Sequence, residues 1–246
     1  MSIVIVAGGA GYIGSHTIRE LQNGGFEPVV LDNLVHGHRK IVEDVLRVPL
    51  VVGEVGDKRL LEKLLSGEHP STKGKYIKGI MHFAAHAYVE ESVIDPAKYY
   101  KNNLAETIML LEALLEDSKK RNSQPIPIVF SSTAAIYGLP LETEIPISET
   151  TLQNPINSYG KSKLMIENIL IDYHKAYNLP VSILRYFNAA GADIKGDIGE
   201  DHNPETHLIP LVLEALFREE GFIKVNGIDY PTFDGTCIRA VSYTHL

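Results

Sequence analysis

Ile3-Val4-Ile5-Val6-Ala7-Gly8-Gly9-Ala10-Gly11-Tyr12-Ile13-Gly14 is the stretch that decides the fold. Its five leading apolar residues show no polar alternation, which predicts a strand buried on both faces in a parallel sheet covered by helices. They run straight into glycines at positions 8, 11 and 14, a GxxGxxG pattern that also reads GxGxxG from Gly9. Glycines there permit a tight turn and let backbone N–H groups approach a pyrophosphate. The helix that follows then aims its N-terminus at the anion. A glycine pattern is weak by itself and gains meaning when it follows a strand and opens a helix, as here.

Working outward, apolar runs recur at Val29–Leu31, Leu50–Val52, Ile80–Ala84, Ile126–Ser131 and Val181–Tyr186. Helical-period segments lie between them. In Asn103–Leu115, for instance, Leu104, Ile108, Leu111 and Leu115 fall at helical spacing. Six strand–helix alternations predict a doubly wound α/β fold with a parallel sheet. Ser71–Lys78 and Gly191–Thr206 read as polar loops. The second carries Asp193, Asp197, Glu200, Asp201 and His202 without regular ligand spacing, so a solvated loop is preferred and no metal is expected.

At 246 residues the chain is one large domain, or one and a half. Its 44% hydrophobic content and mean hydropathy of -0.02 allow a sizeable core and exclude disordered and collagen-like classes. A net charge of -8 gives no general affinity for nucleic acid or anionic membrane. Cys237 is the single cysteine, so neither an intrachain disulfide nor a cysteine zinc cluster can form. The N-terminus has no basic leader and its apolar run is too short to span a bilayer, so a cytoplasmic protein is expected.

The second apolar run ends at Asp32, 18 residues after Gly14. A carboxylate there accepts hydrogen bonds from ribose hydroxyls and repels a 2′-phosphate, which favours NAD over NADP. Tyr159 and Lys163 are four apart and share one face of a predicted helix. An ammonium beside a phenol, with an oxidised nicotinamide close by, stabilises phenolate and lowers the tyrosine pKa. Such a tyrosine takes a proton from a sugar hydroxyl near neutral pH. Thr133, after Ser131-Ser132, is placed to hydrogen-bond the same hydroxyl.

Eight segments, in order, carry a family resemblance: Gly8–His16, Leu31–Leu34, His82–Val93, Tyr99–Asn103, Phe130–Gly138, Ser158–Met165, Leu184–Ala192 and Tyr230–Arg239. With them the chain resembles the extended short-chain dehydrogenase/reductases, and among them the UDP-glucose 4-epimerases, from residue 1 to residue 239. The resemblance implies interconversion of UDP-glucose and UDP-galactose through a transient 4-keto sugar and bound NAD. It implies that Gly8, Gly11 and Gly14 hold the pyrophosphate and that Asp32 and Asn33 hold the adenosine ribose. Phe83, Ala84, Ala85 and Asn103 would line the nicotinamide side, and Lys163 would bind the nicotinamide ribose. Tyr12, Ile13, Glu54, Val55 and Tyr186 complete the implied cofactor set. Thr133 and Tyr159 would face the sugar O4, while Asn188, His207, Leu208 and Arg239 would contact the UDP.

The implied organisation is a Rossmann domain over 1–188, a partial, incomplete substrate-binding domain over 189–239, and a non-native tail over 240–246. The tail departs from the family's continuation, and its back-translation contains a sequencing-library adapter; the chain so cut short is expected to be inactive. The family also implies a homodimer built on a four-helix bundle of Asn103–Leu115 and Lys163–Tyr177, the latter with Ile166, Ile169, Leu170 and Tyr173 on one stripe. Those stripes spent wholly on the sheet is the alternative. Ala7, Glu54, Ala87 and Glu90 stand where family members carry threonine, aspartate, lysine and glycine. A dehydratase on the same fold needs an acid–base pair after the threonine, and Ala134-Ala135 cannot transfer protons. Epimerases of UDP-N-acetylhexosamines or UDP-pentoses, and an NAD-binding protein without catalysis, remain alternatives.

Overall fold

A computed structural model describes residues 2–218, 221–225, 227–237 and 242–243. The chain divides into two compact units, 1–186 and 187–246. In the first unit, β1 (Ser2–Ala7), β2 (Glu27–Asp32), β3 (Leu50–Val52), β4 (Tyr76–His82), β5 (Ile128–Thr133) and β6 (Val181–Tyr186) form one parallel sheet in the order β3-β2-β1-β4-β5-β6. The longer helices between strands are α1 (Tyr12–Asn23), α2 (Lys58–Ser66), α5 (Glu106–Arg121) and α6 (Ser158–Tyr177); the short α3 (Val89–Ile94) and α4 (Pro96–Tyr99) precede α5. The doubly wound fold is therefore present as the apolar runs predict. Ile3, Ile5, Leu31, Ile80 and Phe130 of the inner strands are almost wholly buried, each apolar side chain contributing about 1.5–3 kcal/mol on burial.

Three differences from the sequence reading have physical causes. The expected loop Ser71–Lys78 gives up its last three residues to β4, because Ser2 and Ile3 pair with Tyr76 and Ile77 whatever their side chains. The helix expected over Asn103–Leu115 extends in both directions. Asp95 caps α4 by accepting from the Lys98 N–H at 3.2 Å, a π-helical turn over Tyr100–Ala105 continues it, and α5 runs on to Arg121. The stripe Ile166, Ile169, Leu170 and Tyr173 packs on the core and is not left free for a bundle. The apolar residues that α5 and α6 expose are instead Met109, Met165, Ile171 and Tyr177.

The second unit holds α7 (Leu208–Leu216) and a two-stranded parallel pair, β7 (Asn188–Ala189) with β8 (Ser242–Tyr243). β8 lies inside the stretch read as a non-native tail. None of α7's residues is buried. Among the described residues no helix is long and apolar enough to cross a membrane.

The chain leaves β1, builds β2 and β3 on one side, and returns to β4 on the other, so β1 and β4 part at a topological switch point. There Phe83 and Ala84 both donate to the Ala7 carbonyl, at 2.8 and 3.0 Å. Gly8 turns beneath them with φ +80, and a Cβ on it would stand 2.5 Å from the Ala84 nitrogen. Gly8→Ala is expected to destabilise the protein by at least about 2 kcal/mol, through the strained φ and a backbone clash that no rotamer relieves. Urea unfolding checks this; an unchanged midpoint contradicts it.

Candidate functional site

The switch point opens into a groove of about 630 Å³, open to solvent. Its walls bring together Gly8 and Gly11 of the glycine turn, Asp32 and Asn33 after β2, Glu54 and Val55 after β3, and Phe83, Ala84 and Ala85 after β4. Nine residues expected to bind a cofactor thus meet at the C-terminal ends of four strands. Tyr12, Ile13 and Gly14 form the first turn of α1, and a Cβ on Gly14 would strike the Gly8 carbonyl oxygen at 2.2 Å. Gly14 thus serves close packing of helix on turn.

Asp32 is buried at the end of β2, where its carboxylate accepts from the Ala10 N–H at 3.0 Å and the Leu34 N–H at 2.8 Å. Burial pushes its pKa up, and these two bonds oppose the rise. Asn33 donates to Glu54 at 2.9 Å, tying the loops after β2 and β3 into one wall. Gly11 differs from its neighbours: its backbone is extended, with φ -86 and ψ 178, and an added Cβ would meet only the Gly8 oxygen at 3.6 Å. The fold does not need a glycine there, whereas the groove does, since any side chain would project into it at the N-terminus of α1. Open space at a helix N-terminus with a carboxylate across the groove fits a dinucleotide.

Asn103 is placed differently from the reading that put it on the nicotinamide side. It is buried, and its amide accepts from the His86 N–H at 2.9 Å while donating to the His86 carbonyl at 3.0 Å and to Ser162 Oγ at 3.3 Å. Both amide hydrogens are spent, so Asn103 clamps the loop after β4, and its neighbour Asn102 lines the groove. Ser162 in turn donates to the Tyr159 carbonyl at 2.7 Å, which couples that loop to the first turn of α6. The sequence reading also missed His36 and His86, both on the groove wall, whose rings meet edge to face at 5.6 Å. A histidine four residues after Asp32 and another inside His82–Val93 are the only signals, and neither belongs to a motif.

Tyr159 and Lys163 lie one turn apart on α6, as their spacing predicts. Thr133 closes β5 and accepts from the Ala135 N–H at 3.1 Å; burial holds the Tyr159 phenol above its usual pKa, and the nearby Thr133 hydroxyl opposes the rise. Lys163, expected to lower the tyrosine beside an oxidised nicotinamide, turns its Nζ to the Ser131 carbonyl at 2.7 Å and lies over the Phe130 ring at 4.8 Å. Buried among these groups, the ammonium is brought down to about 7 by desolvation. The Tyr159 ring packs edge-on against Tyr99 at 6.4 Å, whose hydroxyl donates to the Tyr88 carbonyl and to Glu91. Beneath the site, buried Glu167 bonds Ser132 and pairs with Arg185 at 2.8 Å, locking β5, α6 and β6 together.

Tyr186 ends β6 with its phenol raised by burial. In the second unit Asn188 opens β7, His207 caps α7 and Leu208 begins it. Arg239 lies outside the described residues. Within the polar loop and at the start of α7, donor atoms of Glu200, His202, Glu205 and His207 lie within 4.8 Å of one another.

A buried lysine binds fewer protons folded than unfolded between pH 7 and its ordinary value of 10.5, so stability rises with pH across that window. Below pH 7 the cost of charging Lys163 is fully present. Lys163→Met is therefore expected to raise stability by a few kcal/mol at pH 6–7, with the gain shrinking toward pH 10. Equal gains at both ends of the range in thermal unfolding contradict this.

Residues 4–244 match the NAD dependent epimerase/dehydratase family. A UDP-glucose 4-epimerase of Rhizobium leguminosarum bv. trifolii is 47% identical over 244 residues, covering 99% of this chain and 68% of that protein. The crystal structure of a UDP-glucose 4-epimerase from Brucella ovis in complex with NAD is 45% identical, with TM-score 0.81 over 96% of this chain and 67% of that one. That of Bifidobacterium longum in complex with NAD+ and UDP is 37% identical, with TM-score 0.82 over 97% and 69%. The chain thus spans about two thirds of these relatives' length. Glycine turn, switch-point groove and the Thr133–Tyr159–Lys163 arrangement stand on a chain that belongs to the NAD dependent epimerase/dehydratase family.

Proposed function

We propose that the protein is an NAD-dependent 4-epimerase interconverting UDP-glucose and UDP-galactose. The observation that carries this reading is the placement of Tyr159 and Lys163 one turn apart on the buried face of α6, with Thr133 at the end of β5 close enough to the phenol to favour its phenolate. Kinship with the UDP-glucose 4-epimerases supports the substrate. In this reading the groove holds NAD: Gly8, Gly11 and the first turn of α1 take the pyrophosphate, Asp32 and Asn33 the adenosine ribose, and Phe83 to Ala85 the nicotinamide side. Asp32 sets the preference over NADP, since a 2′-phosphate about 4 Å away would be repelled by roughly 4 kcal/mol at an effective dielectric of about 20.

Bound NAD supplies the hydride acceptor that makes oxidation at C4 reversible. Tyr159 takes the O4 proton, with Thr133 orienting the hydroxyl, and returns it after the 4-keto sugar has turned its other face. Lys163, near neutrality at about 7, reports on the charge of this site. Asn188, His207, Leu208 and Arg239 are the candidates to hold the UDP while the sugar turns, which keeps the intermediate positioned for hydride return. A single cysteine fits a reducing cytoplasm, and Met109, Met165, Ile171 and Tyr177 offer apolar surface for a homodimer.

Two outcomes follow. Measured at the length of its relatives, the protein is expected to convert UDP-galactose to UDP-glucose, and Tyr159→Phe to lower kcat by about 10²–10⁴-fold while NAD affinity stays within about twofold. A variant that keeps its rate removes Tyr159 from the reaction. Sedimentation of the same protein should give a dimer at micromolar concentration, weakened by Met109→Glu with Met165→Glu; a monomer in both cases contradicts the dimer.

A further inference from the structure

Outside the groove, the second unit gathers two carboxylates and two imidazoles on the segment leading into α7. His207 Nδ1 lies 2.9 Å from Glu200 Oε1 and 3.0 Å from Glu205 Oε1. His202 Nδ1 lies 3.4 Å from Glu200 Oε1 and 3.5 Å from Glu205 Oε2. Both imidazoles thus approach the same two carboxylates through the same ring nitrogen. All four donor atoms lie within 4.8 Å of one another.

That geometry has a specific meaning. Around a tetrahedral zinc ion, with ligand distances of about 2.0–2.2 Å, neighbouring donor atoms stand roughly 3.3–3.6 Å apart. The four nitrogen–oxygen separations, from 2.9 to 3.5 Å with Glu205 reached through both of its oxygens, already stand near that spacing; the four donor atoms lie within 4.8 Å of one another, so an ion would draw the most distant of them in by about 1 Å. The carboxylates are already withdrawn from water, their side chains 8% and 9% exposed. Glu205 is also oriented by the backbone, accepting from the Thr206 and His207 N–H groups at 2.7 Å each, the outer support that fixes a ligand's direction. Two imidazoles select a borderline transition ion over calcium or magnesium, which take oxygen ligands.

We propose that Glu200, His202, Glu205 and His207 form a closed four-ligand site for a single zinc-class cation. With four protein ligands and no open position, the ion is structural: it joins residue 200 to the N-terminus of α7 and fixes the segment between. It takes no part in proton transfer at Tyr159, so the inference stands or falls apart from the epimerase reading. His207, read from sequence as a UDP contact, would give Nδ1 to the ion and keep Nε2 for other partners.

The test uses the whole chain, equilibrated with zinc, desalted and analysed for metal, and separately loaded with cobalt. About one ion per chain and the intense visible bands of tetrahedral cobalt are expected. His202→Ala and Glu205→Gln should each weaken zinc binding by at least about 100-fold, leaving NAD affinity in the first unit unchanged. Cys237→Ser and His69→Ala should bind zinc as the parent does. Failure of the parent to retain zinc, a weak six-coordinate cobalt spectrum, or binding that survives both ligand substitutions but not Cys237→Ser overturns the proposal. Because the cobalt spectrum is read on the unaltered chain, it decides the matter even if a variant loses structure.

Discussion

Everything in the first unit hangs on how closely β1 and β4 leave the sheet together. Ala7 accepts two N–H groups from Phe83 and Ala84, and Gly8 passes under them with no room for a Cβ. That approach sets the floor of the groove, fixes where α1 begins, and delivers the loop after β4 to its wall. A side chain at position 8 would push the two strand ends apart and open the site from below.

The other half of the site is tied to this floor by one amide. Asn103 holds both backbone groups of His86 and reaches Ser162, which bonds Tyr159 in the first turn of α6. Behind it, His82 donates through Nε2 to Thr107, whose hydroxyl is already given to the Asn103 carbonyl; burial holds that imidazole neutral, its pKa lowered to about 3. Wall loop and the first turn of α6 therefore cannot shift independently. This explains how residues more than fifty positions apart keep one geometry in a groove open to solvent.

Much of this was legible in the sequence, for reasons of locality. Gly8, Gly11 and Gly14 fall in one turn, Asp32 ends a strand whose apolar run announces it, and Tyr159 and Lys163 share a helix face by spacing alone. What was not legible depends on contacts between distant segments. Nothing near Lys163 in sequence says that its ammonium turns to Ser131, or near Asn103 that its amide is consumed by His86 and Ser162. The stripe Ile166, Ile169, Leu170 and Tyr173 has the same periodicity whether it faces the core or a partner, and here it faces the core. Glu200, His202, Glu205 and His207 are spaced two, three and two apart with no helix to align them, so only the folded loop brings their donor atoms together.

Gly11 offers the most direct test that the groove holds the dinucleotide, because there the demands of fold and ligand separate. Its conformation suits any residue and its Cβ direction is open. NAD affinity and urea unfolding should be measured side by side for the parent and Gly11→Leu. The account predicts an unchanged unfolding midpoint with NAD binding weakened by about 100-fold or more, roughly 2.7 kcal/mol. Retained NAD affinity in a stably folded Gly11→Leu protein would contradict it.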